Sequence, residues 1–305
     1  MTSLLGSGDT VDRAKGVYAD WEQRVDGWEQ FQEAVLEISQ QHIRRELVWR
    51  GTRRAEWGVM SSLYRKLYRL HGTPPTEDDL VAAEGRILDL ARSDWRFDDR
   101  PAMELLAHLQ HLGGPTRLLD VSENPLVGLW FAVEHRERDE QADGRVFAFA
   151  TDASPIALDA DWGGRTLRWH SWRTDEDRRT NRWGTGERRR IWRPPAYQER
   201  ISAQNAAFIV DGAPIEGRST STDEATNVPI DEVRTVASIN LRFSRVRRDA
   251  LRPESAPVFT LRIDAAAKPE IREQLERRFG YRASSIFPDL PGLAGYLSNH
   301  PEAFG

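Results

Sequence analysis

No cysteine occurs anywhere in the 305 residues. That absence excludes disulfides, cysteine-ligated zinc and a thiolate nucleophile, and it fits a reducing compartment. Long apolar runs are missing too: none approaches the roughly 18 residues that a membrane-spanning helix needs. The first residues, MTSLLGSGDTVDRAKG, lack a charged start, an apolar stretch and a small-residue cleavage site, so export is not expected and a cytoplasmic location is. The sequence holds no G-x-S-x-G elbow, P-loop, G-x-G-x-x-G or H-E-x-x-H, which weakens hydrolase, NTPase, Rossmann and zincin readings. Nor is there an excess of positive charge. The net charge is −5, which gives no global attraction to nucleic acid.

What is present suffices for a folded domain. Apolar residues make up 39% and charged residues 30%, a balance that suits a packed core under a well-solvated surface. The charge is unevenly spread: residues 161–200 carry eleven arginines against six acids. Five tryptophans (Trp162, Trp169, Trp172, Trp183 and Trp192) lie among those arginines. Indoles stack on bases and guanidinium groups neutralise phosphates, so the Trp/Arg-rich region 161–193 is a candidate nucleic-acid contact. The alternative is a basic loop whose tryptophans are tucked into the core.

Periodicity gives the elements. Residues 1–27 read as a loose tail and lead-in. Trp28, Phe31, Val35 and Ile38 follow a helical repeat to about Gln41. Glu46–Arg50 alternates as a short strand with Leu47 and Trp49 on one face and Val48 on the other. A helix with Leu63, Leu67 and Leu70 inward follows, then one capped by Thr76 and opened by Glu77, Asp78 and Asp79. Another helix spans Pro101–Leu112, followed by a strand Thr116–Val121 and a helix Pro125–His135 with Asn124 as N-cap. Further strands are expected at Gly144–Thr151, Arg200–Val210, near 235–243 and near 257–264, with 211–232 as a polar loop. Lys268–Phe279 is a helix stopped by Gly280, and a last short helix follows Phe287. Strands and helices mix without a βαβ rhythm, so the class expected is α+β, with mixed small sheets flanked by helices.

The densest stretch is 108–134, HLQHLGGPTRLLDVSENPLVGLWFAVE. His108 and His111 stand three apart on one helix, but no third ligand lies at a diagnostic spacing, and packing or hydrogen bonding suits them better than a metal. Arg117 and Asp120 sit at opposite ends of an apolar strand and face opposite ways, leaving each between scaffold and ligand contact. Ser122 and Asn124 cluster at a helix N-terminus, where free N–H groups favour an anion. Elsewhere, Arg50 ends a strand and Gly51 follows it; the arginine's planar fork suits a diphosphate or carboxylate, and glycine lets a ligand approach the backbone. Glu199 precedes an apolar strand, where a carboxylate can act as base or stabilise a developing cation.

Three separated blocks resemble the FRG-domain family. They are Trp49-Arg50-Gly51 with Trp57 and Ser61 to Arg65, then Leu109-Gln110-His111 through Gly114–Asp120 to Asn124-Pro125-Leu126 and Trp130-Phe131-Ala132, then Arg200-Ile201 with Gln204 and Phe208. Ser285–Leu293 resembles the family's end. This resemblance implies a single domain over 28–297, with insertions near 152–195 and 211–232 and a C-terminal tail at 298–305. More distantly, the chain resembles mono-ADP-ribosyltransferases of the Arg-Ser-Glu type, which implies a split sheet and NAD as substrate. By that resemblance Arg50 holds the NAD diphosphate, Ser122 supports the nicotinamide side and Glu199 stabilises the oxocarbenium-like ribose. Gln204 joins Glu199 and Ser122 as a candidate catalytic residue, while Gly51, His111, Arg117, Asp120 and Asn124 join Arg50 in a cofactor-binding set. Tyr197 stands where arginine-modifying enzymes carry Glu or Gln, which leaves Gln204 and Asp120 as alternatives to Glu199. The function expected is an NAD-dependent ADP-ribosyltransferase, in the setting of a toxin or antiphage defence effector that modifies nucleic acid and has an antitoxin or defence partner. The alternatives are a non-enzymatic nucleotide- or nucleic-acid-binding module, and a metal-dependent nuclease using Asp120 and His111.

Overall fold

The computed structural model describes residues 16–41, 45–152, 154–195, 199–217, 228–246, 256–300 and 304. Most of the expected N-terminal tail, residues 218–227 of the expected loop and most of the C-terminal tail lie outside the described residues. No helix among the described residues is long and apolar enough to cross a membrane.

The fold is α+β. Seven strands, β1 (Glu22–Val25), β2 (Glu46–Thr52), β3 (Leu119–Ser122), β4 (Gly144–Thr151), β5 (Arg190–Trp192), β6 (Ala206–Val210) and β7 (Val258–Ile263), form one mixed sheet in the order β1-β7-β4-β2-β3-β6-β5. The expectation of several small sheets is therefore corrected. Pairing is antiparallel except between β1 and β7. The sheet is nevertheless weakly joined at its middle: β2 pairs with β4 along its whole length but meets β3 only at Trp49–Ser122.

The helices are α1 (Trp28–Gln41), α2 (Ser62–His71), α3 (Glu77–Ser93), α4 (Ala102–His111), α5 (Pro125–Val133), α6 (Asp175–Thr180), α7 (Glu199–Ala203), α8 (Ile230–Val236), α9 (Lys268–Phe279), α10 (Ala283–Ile286) and α11 (Leu290–Asn299). The central β4 is buried on both faces. Its Val146 and Ala148 join Phe31, Trp49, Trp130 and Ile271 in one core. Its Phe147 and Phe149 meet Val48, Leu119, Ile209 and Val236 on the other side. A third core packs Leu105, Leu106 and Leu118 against Trp169, Trp183 and Trp192.

Local signals hold at several points. Thr76 and Asp79 make a reciprocal capping box for α3, and the side chain of Asn124 accepts from the Leu126 N–H to cap α5. Other expectations shift. Leu70 is 69% exposed rather than inward. The strand expected at Thr116–Val121 begins only at Leu119. Arg200–Val210 is not one strand: α7 turns at Asn205, whose φ of 43° lies in the left-handed region, before β6 begins. Residues 235–243 form no strand; α8 ends there, and single bridges tie Ala237 to Val59 and Phe243 to Val258.

Candidate functional site

A cavity of about 350 Å³ lies where β2 and β3 diverge. Its walls come from β2 (Trp49, Arg50, Gly51), α4 (Gln110, His111), β3 (Asp120, Ser122), α5 (Phe131), the α7–β6 segment (Arg200, Gln204, Phe208) and Phe287. A volume of this order with mixed aromatic and polar walls suits a small organic ligand.

Arg50 is its central cation. The guanidinium reaches across the seam, and Nη1 donates to the backbone carbonyl of Asp120 at 2.6 Å. Its Nε is buried and has no hydrogen-bond partner. Burial lowers the arginine's pKa, and the neighbouring Asp120 charge partly counters that. A buried donor without a partner costs about 1–3 kcal/mol, more when charged, so an anion arriving there would satisfy it.

Asp120 supplies the carboxylate. Gln110 Nε2 donates to its Oδ2 at 2.7 Å, while Gln110 Oε1 accepts from Thr116 Oγ1 at 2.6 Å. The Thr116 hydroxyl thus fixes the amide's orientation, and the amide fixes the carboxylate. Gln110 was not singled out from the sequence as a site residue, although it belongs to the Leu109-Gln110-His111 block. Arg65, at the end of the Ser61–Arg65 block, does not line the cavity but lies near enough to feel the charges of Arg50 and Asp120. Arg200 brings a second guanidinium, with Nη2 on Asp289 Oδ1 at 2.6 Å and its plane over Phe287 at 4.9 Å. Burial and the Arg200 charge lower the pKa of His111, and Asp289 partly counters them.

The structure separates the other expected site residues by role. Ser122 lines the cavity, but its hydroxyl is engaged: Oγ donates to the Gln204 carbonyl at 2.6 Å and accepts from the Asn124 N–H at 3.0 Å. Gln204 lines the cavity with its amide tied to the Ile286 carbonyl at 3.0 Å. Asn124 does not line it, since its amide caps α5 and donates to the Tyr281 hydroxyl at 2.6 Å. Glu199 stands exposed in the first turn of α7 and is not part of the wall.

Gly51 reaches the cavity, yet its need for glycine comes from packing. A Cβ there would lie 1.9 Å from the Gly128 carbonyl oxygen, so strand β2 and helix α5 touch backbone to backbone. Arg117 is not a ligand contact at all. It is buried, with Nε on Glu84 and Nη1 on Glu77, both at 2.6 Å, and it sits over the rings of Trp169 and Trp183. Burial opposes its charge, but Glu77 and Glu84 prevail and raise its pKa.

The same network accounts for four of the five tryptophans, which follow the alternative of rings tucked into the core. Trp169, Trp172, Trp183 and Trp192 are buried, and the indole N–H groups of Trp169 and Trp183 donate to Glu84 and Glu77. These rings are core and cannot stack on bases. His108 contacts Arg100 at 2.5 Å, and no group of three or more His, Asp or Glu suited to a metal occurs among the described residues.

Fold and cavity together define an α+β domain with a composite, arginine-bearing cleft at a sheet seam. The FRG domain model matches residues 45–141, and the chain carries an FRG domain. That span includes β2 to α5, hence Arg50, Gln110, Asp120 and Ser122, and is narrower than the expected 28–297. Arg200, Gln204, Phe208 and Phe287 complete the cavity from beyond it. Neither a curated protein nor a solved structure gives a significant match.

Proposed function

We propose that the cavity binds NAD and that the chain transfers its ADP-ribose group to an acceptor. The observation that carries this reading is the buried, unpartnered Nε of Arg50 in a cavity walled by Trp49, Phe131, Phe208 and Phe287. A guanidinium suits the diphosphate oxygens, and aromatic faces suit the heterocycle. In the reaction the C1′–N bond to nicotinamide breaks and its electron pair leaves with the ring. An acceptor nucleophile bonds C1′ and releases its proton. Asp120, held by Gln110, is the carboxylate placed to stabilise the cationic ribose, a role first expected of Glu199.

Two features also support a second reading, a nucleotide-binding module without catalysis. Ser122 is committed to scaffold hydrogen bonds, and Glu199 is outside the wall. One experiment separates the two. The purified chain is incubated with labelled NAD, and nicotinamide release and the thermal midpoint are recorded for the parent, Arg50→Gln and Asp120→Asn. Release that Asp120→Asn abolishes, while the NAD-induced thermal shift persists, supports the transferase. A thermal shift without release supports the module. An NAD effect on neither quantity overturns both as readings for this ligand.

A further inference from the structure

A second polar cleft, of about 510 Å³, opens away from the cavity beside the edge strand β5. Its lining includes Arg182, Arg188, Arg190, Asn181, Ser154 and Asp152. Three guanidinium groups thus share the cleft with one lining carboxylate, already paired with Arg188, while the charge of the buried Asp211 also acts on Arg190.

Arg190 is the built part of the cleft. It is 6% exposed, so more than nine-tenths of it is buried. Its Nη2 donates to the Asn181 carbonyl at 2.6 Å, and its plane lies against Trp172 and Trp183 at 5.6 and 5.8 Å. These contacts fix the fork in one orientation. Its Nη1, however, is buried with no hydrogen-bond partner. Burial lowers the pKa of Arg190 to about 10, so the group stays charged at neutral pH. Arg182 follows α6 with a φ of 51°, a left-handed turn that a non-glycine residue rarely adopts. Arg182 and Arg188 are both exposed at the rim.

A fixed, desolvated arginine donor under two exposed rim cations is an arrangement that suits a tetrahedral oxyanion. We propose that this cleft is a phosphate-binding site, with Arg190 as its floor and Arg182 and Arg188 as its rim. The phosphate comes either from a nucleic-acid backbone or from a small phosphorylated molecule. Because the tryptophans beneath Arg190 are core, bases would not stack in the cleft. Recognition would be of the phosphate and indifferent to sequence.

The test uses the full chain and three probes: inorganic phosphate, pyrophosphate and a fluorescent oligothymidylate. Anisotropy reports the oligonucleotide, and competition against it together with thermal shift reports the small anions. The parent should bind at least one probe. Arg182→Gln and Arg188→Gln, both at exposed positions, should each weaken that binding several-fold with an unchanged thermal midpoint. For the oligonucleotide, each should also reduce the slope of log affinity against log salt by about 1. Arg190→Gln should abolish binding, and its fold is checked by circular dichroism. Arg50→Gln should leave the oligonucleotide's affinity, and the competition against it, unchanged. Tight oligonucleotide binding with weak small-anion competition identifies a backbone site, whereas equal occupancy by pyrophosphate identifies a small-molecule site. The proposal is overturned if no probe binds, or if binding is the same in the parent, Arg182→Gln and Arg188→Gln.

Discussion

Arg50 hydrogen-bonds the backbone carbonyl of Asp120, not its carboxylate. The carboxylate is held instead by Gln110. The cavity therefore keeps a cation and an anion side by side without their neutralising each other in a direct ion pair. That separation is what a ligand with both a diphosphate and an incipient cation would require.

Arg50→Gln should weaken NAD binding at least about tenfold, since hydrogen bonds to charged groups contribute about 1.5–3 kcal/mol each. Arg50→Lys should not restore it, because an ammonium lacks the planar fork. Calorimetric titration of NAD into each variant provides the comparison. Equal affinities in parent and variants would remove Arg50 from the site.

Ser122→Ala and Glu199→Ala should part company in stability. Removing the Ser122 hydroxyl leaves the Gln204 carbonyl and the Asn124 N–H without that partner, a loss of about 1–3 kcal/mol. Glu199 is exposed at the start of a short helix, and its loss should stay within about 0.5 kcal/mol. Urea denaturation measures both. If Glu199→Ala instead abolished nicotinamide release without changing stability, Asp120 would lose its assigned role.

Gly51→Ala should be among the most damaging single substitutions. The added methyl would meet backbone rather than a side chain that could swing away, so β2 and α5 would have to separate. Overpacking commonly costs about 1–3 kcal/mol, and a rigid backbone clash lies at or above the upper end. The soluble yield and thermal midpoint of the variant test this, and a midpoint equal to the parent's would refute the close packing.

Two buried carboxylates should shape the pH dependence of stability in opposite ways. Burial alone would raise the pKa of Glu84, but the Arg117 charge and hydrogen bonds from His170, Arg117 and Trp169 hold it below the ordinary value. Its contribution is complete above the unfolded carboxylate pKa and is lost as pH falls through the depressed folded one. Asp211 behaves in reverse. Burial pushes it up to about 6, against the Gly184 and Gly212 N–H groups and the charges of Arg190 and Arg189. The folded state then holds the proton more tightly, so stability declines as pH rises from the ordinary 3.8 through about 6. Asp211→Asn keeps an oxygen for those N–H groups and should be more stable than the parent near neutral pH, with the difference vanishing in acid. Denaturant midpoints across that range would contradict this if the two proteins ran parallel.

Legibility in the sequence followed the distance over which each interaction acts. Helix α1, strand β4 and helix α9 were readable to the residue because period, alternation and a stop glycine are local. The break between α7 and β6 was not, although Asn205, of a residue type that tolerates the left-handed φ it takes there, is the local mark of it. The tryptophans left two readings open for a related reason: Glu77 and Glu84, which receive two of their indole N–H groups, lie about a hundred residues earlier. Arg50, Asp120, Ser122 and Gln204 were each visible as special positions. That Gln110 orients Asp120, and that Glu199 stands aside, depends on long-range packing that spacing does not encode.

The sparse joint between β2 and β3 has a mechanical consequence. Along the β2–β3 seam itself one residue pair and the Arg50 side chain join a four-strand half (β1, β7, β4, β2) to a three-strand half (β3, β6, β5), with Arg189 on Ala150 and Arg193 on Glu46 bridging them from the flanks of β5. The seam should open to solvent before either half does, and amide exchange at Trp49 and Ser122 should outpace that of the strands behind them. A ligand gripping Arg50 on one side and Asp120 on the other would act as a rivet through this fault line, slowing exchange in both halves at once.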